Sequence, residues 1–69
     1  MTLPPPDDHN SLYGSDLWYP LGTLAEGAVV ATAEGTVDIE GFKSLSPSQA
    51  FAFANAVTAA ATTAANRSG

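Results

Sequence analysis

Apolar positions follow three different rules along this chain. From Ala28 to Thr32 they run together, as Ala28-Val29-Val30-Ala31-Thr32. From Thr36 to Glu40 they alternate, with Val37 and Ile39 on one side and Thr36, Asp38 and Glu40 on the other. Period-two alternation predicts a strand with one wet face. Ala33-Glu34-Gly35 between the two segments predicts a turn, because Gly35 reaches positive φ without a Cβ clash. Gly41 ends the second strand, and Phe42 returns to the core side.

The third rule begins at Ser46-Pro47-Ser48-Gln49. Ser46 suits an N-cap, Pro47 the first helical position, and Gln49 completes a capping box. A helix is predicted from Pro47 to about Ala65, with Arg67 favourable to its negative end. Phe53, Val57 and Ala61 share a stripe, with Ala50, Ala54 and Ala64 beside it, so Phe53 and Val57 are expected to pack on the hairpin. Phe51 lies about 200° from Phe53 and is expected to face a neighbour.

Before these elements the pattern is weaker. Residues 1–11 include Pro4-Pro5-Pro6 and the polar run Asp7 to Ser11, and read as a flexible arm. Leu12, Tyr13, Leu17, Trp18, Tyr19, Leu21 and Leu24 follow, broken by Gly14, Pro20 and Gly22. This stretch is expected to be a short strand or an ordered loop. The predicted organisation is therefore an arm over 1–11, one small ββα-type domain over 12–66 and a tail over 67–69. The fold class is α+β: an antiparallel β-hairpin packed on one C-terminal Ala-rich helix, with an extended N-terminal arm.

The helix changes the picture most through what it lacks. No charged residue occurs from Ser44 to Asn66, and nine of the sixteen residues from Ala50 to Ala65 are alanine. Surface helices ordinarily carry charge on their outer face. Alanines at four-residue spacing (Ala52, Ala56, Ala60, Ala64) would let a second helix approach closely. A chain of 69 residues with no cysteine has a thin core and no disulfides, so association is the remaining means of stabilisation. A homo-oligomer is expected, with Phe51, Asn55, Thr58 and Thr62 as interface residues and Ala52 and Ala56 in the close contact. Glutamate at Ala56 is then expected to break the assembly. Trp18 and Tyr19 are second candidates, as contacts of a recognition arm; the competing reading has Trp18 and Leu21 capping this chain's own core.

Charge and chemistry exclude several classes. Two basic residues, Lys43 and Arg67, stand against seven acids and give a net charge of -5. Nucleic-acid binding is not expected, since phosphate contacts need several Lys or Arg. Asp7, Asp8 and His9 are adjacent possible ligands, but neighbouring side chains in an arm make no preorganised site, so no metal is expected. Gly22, Gly27, Gly35 and Gly41 are too far apart for a phosphate loop, and no cofactor is expected. Catalysis would require His9, the single histidine, to be fixed beside a serine and oriented by a carboxylate. No enzymatic activity is expected. Glu34, Asp38 and Glu40 read as the wet face of the hairpin. Gln49, Asn55 and the threonines oppose a membrane-spanning role for the helix.

Gly35-Thr36-Val37-Asp38-Ile39-Glu40-Gly41-Phe42 followed by Leu45-Ser46-Pro47-Ser48-Gln49-Ala50 resembles small proteins of actinobacteria and their phages. These run a strand, a Leu-Thr/Ser-Pro-x-x-Ala helix start and an Ala-rich helix. They generally have no assigned activity, so the resemblance supplies no catalytic residues. They usually carry Glu and Arg on the helix, where this chain has Phe51, Asn55 and Thr58. The resemblance implies a phage or actinobacterial gene encoding a small accessory protein, and the function expected is a protein-interaction module that self-associates and binds a host or partner protein. A structural virion component, capsid-decorating or tail-associated, is the alternative. The start of the chain lacks the basic and apolar regions of a signal peptide, so the cytoplasm is expected, or the host cytoplasm if phage-encoded, with the virion as the alternative.

Overall fold

A computed structural model of the protein describes residues 2–68. Strands β1 (Asp8–Asn10), β2 (Ser15–Trp18), β3 (Ala28–Ala31) and β4 (Val37–Glu40) are followed by one helix, α1 (Pro47–Ser68). The strands form one antiparallel sheet in the order β1-β2-β3-β4. The helix lies across one face of it, so the α+β class expected from the pattern is the observed one.

The predicted hairpin is β3–β4, in the register Ala31↔Val37 and Val29↔Ile39. Its turn closes as the sequence requires. Thr32 N–H donates to Thr36 O at 2.9 Å, Gly35 N–H donates to Thr32 O at 3.1 Å, and Gly35 takes a φ of 90°. The helix start also forms as expected. Ser46 N–H donates to Gln49 Oε1 at 2.9 Å, and Gln49 N–H donates to Ser46 Oγ at 3.3 Å. Such a cap stabilises the helix by about 1 kcal/mol. The helix continues through Arg67 to Ser68, where a tail was expected.

Three residues of the arm expected over residues 1–11 belong to the sheet. Asp8–Asn10 is a strand, paired as Asp8↔Leu17 and His9↔Asp16. It has no apolar alternation to announce it. Polar bonds hold it instead: Asp7 N–H donates to Leu17 O at 2.8 Å, Tyr19 N–H to Asp7 Oδ2 at 2.7 Å, and the Trp18 indole to Pro4 O at 2.9 Å. Met1 and Gly69, the ends of the expected arm and tail, lie outside the described residues.

The core is made mainly of small side chains. Trp18, Val29 and Ala31 from the sheet meet Ala56, Ala59, Ala60 and Ala64 from the helix. Val37, Phe42, Phe53 and Val57 pack around this cluster and are half-buried. Alanine on the inner face lets α1 sit close to the sheet, and Trp18 fills the space that remains. The stripe Ala56-Ala60-Ala64, expected to receive a second helix, is therefore consumed inside the chain. Ala52 on the same row is half-buried, and Ala61, expected on the core stripe, is exposed. Glutamate at Ala56 would bury a charge beneath the helix and disrupt the fold itself, not a contact between chains.

Phe42 secures the end of the sheet. Its ring meets Phe53 edge-on, with centroids 4.6 Å apart. It also lies over Gly27, where an added Cβ would be 2.6 Å from the ring. Gly27 has a φ of 148° besides. Gly27→Ala thus combines overpacking with backbone strain and is expected to cost about 2–3 kcal/mol. Gly22→Ala is the control, since φ there is 103° but nothing lies within 4 Å of an added Cβ. Thermal unfolding followed by circular dichroism should give Gly27→Ala a Tm lower by more than about 10 °C and Gly22→Ala a clearly smaller drop.

Candidate interaction surface

The outer face of α1 carries Phe51, Ala54, Asn55, Thr58, Ala61, Thr62 and Ala65, all exposed and all uncharged. Phe51 is 72% exposed, which is unusual for a phenylalanine with no role in its own core. Thr58 Oγ1 donates to Ala54 O at 3.0 Å, and Thr62 Oγ1 donates to Thr58 O at 2.9 Å. Both hydroxyls are thereby bonded within the helix, which leaves the threonine methyls as their contribution to the surface. Phe51, Ala54, Thr58, Ala61 and Ala65 recur at alternating spacings of three and four. That is the period of a seam between two helices. Of the interface residues expected from sequence, Phe51, Asn55, Thr58 and Thr62 share this face, while Ala56 lies on the opposite one.

Trp18 and Tyr19 are separated by the pleat of the sheet. Trp18 is 2% exposed and belongs to the core, so it is not available as an arm contact. Tyr19 is half-buried, and its hydroxyl donates to Asp8 Oδ2 at 2.9 Å. Partial desolvation and that carboxylate raise the phenol above its ordinary pKa. On the open face of the sheet, register aligns Asp8, Leu17, Val30 and Asp38 in one row. Two half-buried apolar residues are thus bracketed by two acids.

The most connected polar cluster joins β1, β2 and the end of α1. His9 Nδ1 contacts Asp16 Oδ1 at 2.6 Å, and Arg67 Nη2 donates to Asp16 Oδ2 at 2.6 Å. Arg67 Nη1 also donates to Ala31 O at 2.9 Å. The hydrogen bond from His9, aided by Arg67, holds the Asp16 carboxyl below its ordinary pKa. An ionised carboxylate only accepts, so Nδ1 of His9 carries the proton in this pair. The sequence pattern puts His9 in a flexible arm and Arg67 at the helix dipole; the structure brings both to Asp16. No local signal announced the cluster, because 51 residues separate Asp16 from Arg67. It orients a histidine, but among the described residues no hydroxyl is hydrogen-bonded to the other nitrogen of its ring. Its evident work is to clamp the last turn of α1 onto the sheet.

An open groove of about 290 Å³ lies beside the helix start, lined by Leu21, Ala25, Glu26, Lys43, Leu45 and Gln49 among others. Among the described residues no group of three or more His, Asp or Glu could hold a metal ion. Asp7, Asp8 and His9 each serve different partners: Tyr19 N–H, the Tyr19 hydroxyl and Asp16. No helix among the described residues is long and apolar enough to cross a membrane. Protein-family models, curated proteins and solved structures yield no match to this chain.

Because Asp16 is lowered in the folded state, its stabilising effect is complete above the unfolded aspartate pKa. It is lost as pH falls through the lower folded value. Asp16→Asn is expected to cost about 1 kcal/mol at pH 7. The difference between variant and wild type should shrink as pH falls below the unfolded aspartate pKa, in urea titrations over a pH series. A constant difference across that range would detach the stabilisation from the carboxylate.

Proposed function

We propose that this chain is a non-enzymatic protein-interaction module that self-associates through the outer face of α1. One observation carries the reading: an uncharged helix face with helix-pair spacing and an exposed phenylalanine, on a chain of net charge -5. All seven acids lie in residues 7–40, in the sheet and its connections. Two copies meeting helix to helix keep those acids apart. Arg67 reaches toward the sheet, to Asp16, and does not break the uncharged face.

Magnitudes limit the strength of the contact. Burying a Phe51 ring from each copy supplies about 3–6 kcal/mol. Association costs about 4–15 kcal/mol in lost freedom. The alanine and threonine seam must supply the rest by close packing, so the contact is weak and its dilution series should span roughly micromolar to millimolar protein. An accessory role in binding a host or partner protein follows naturally for such a module, with the assembled form displaying its acidic sheets outward.

The test is absolute mass by light scattering after gel filtration, compared with Thr58→Glu. Glutamate is a good helix former, and Thr58 is exposed, so the variant should keep its helical content. The wild type is expected to rise above the 7.0 kDa single-chain mass with concentration, and Thr58→Glu to remain there. A wild type that stays at single-chain mass throughout, or a variant that assembles equally well, would overturn the proposal.

A further inference from the structure

We propose that the open edge of β4 is a docking site for an extended, basic segment of another protein, which would extend the sheet by one strand. This surface is distinct from the outer face of α1, and the inference does not rest on self-association there.

The two edges of the sheet are built differently. β1 is three residues long, and Pro4-Pro5-Pro6 precedes it at a short distance. Proline cannot donate to an added strand, and short edges pair poorly. β4 has neither proline nor interruption from Val37 to Glu40. Its backbone orientation follows from the turn. Thr32 N–H bonds to Thr36 O, so Thr32 and Thr36 are a mutually facing pair. Alternation along an antiparallel ladder then makes Val30–Asp38 and Ala28–Glu40 the bonded pairs. The N–H and C=O groups of Val37 and Ile39 consequently point out from the edge.

The side chains specify the occupant. Ile39 is 52% exposed although it lies in register with Val29 and on the same face of the sheet. An apolar residue of an incoming strand, opposite Ile39, would cover it. Asp38 and Glu40 project from the other face, and basic residues opposite them would pair. A second copy of β4 fits badly. Two-fold pairing about Ile39 sets Asp38 opposite Glu40 of the copy, and pairing about Asp38 sets two aspartates face to face. Like charges directly opposite are destabilising. The edge therefore rejects its own kind and favours a segment in which apolar and basic residues alternate, held by main-chain bonds.

A short fluorescent peptide of alternating lysine and valine is the probe, titrated into the full chain by anisotropy and by amide NMR. Two control peptides need no protein variant: alternating glutamate and valine, and a lysine–valine peptide interrupted by prolines at equal charge. Binding of the uninterrupted basic peptide alone, with the Val37 and Ile39 amides shifting most, would support the proposal. Asp38→Asn with Glu40→Gln should then weaken it roughly tenfold. Absence of binding, equal binding of the proline-interrupted peptide, or shifts confined to α1 or to the Asp8 side of the sheet would each overturn it.

Discussion

The contact between an alanine-lined helix face and the middle of a small sheet is the constraint on which the rest depends. Ala56, Ala60 and Ala64 have no side chain beyond Cβ, so α1 can lie close to Val29 and Ala31. Close approach gains packing but buries little apolar area for each residue ordered. Among the described residues Trp18 is the one aromatic side chain buried in this layer, and its indole N–H finds Pro4 O without leaving the core. The same bond draws the proline segment onto the domain and helps to set β1 beside β2. Phe42 and Phe53 close one end, and the Asp16–Arg67 pair fastens the other.

Much of this was legible in the residues. Ser46-Pro47 and Gln49 mark the helix start by a mechanism, since orphan N–H groups at a helix terminus need such partners. The β3–β4 hairpin follows from alternation and from Gly35. What escaped has physical reasons. Rows at four-residue spacing rotate by about 40° per step, so a stripe drawn from Phe53 through Val57 leaves the core by Ala61. With alanine on every side, composition alone cannot distinguish the buried face from the exposed one. Burial of the Ala56 row depends on what the sheet offers, namely Trp18 and the acceptors around Asp16. β1 escaped because Asp8-His9-Asn10 carries no hydrophobic period and is held by polar bonds of high sequence separation.

Charge is segregated in the same way as size. The acids sit on the sheet and its loops, one base is spent on Asp16, and the outer face of α1 has no charge at all. A surface helix without charge forgoes the hydration that ordinary helices use. Joined to a thin core, this underlies the proposed link between stability and association: the face that is poorest for water is the face that a second chain would cover. That Phe51, Asn55, Thr58 and Thr62 share one exposed face was legible because their types are unusual for an exposed helix. The open edge of β4 was not, because alternation predicted Ile39 to be covered and only the finished sheet shows that it lies at the margin.

The most direct test of this linkage is the midpoint of chemical unfolding measured across protein concentration. If association through α1 supplies part of the stability, the midpoint rises as protein is concentrated, by mass action on the assembled folded state. A midpoint that stays constant over roughly a thousandfold range would contradict the account, because the thin alanine core would then be sufficient alone.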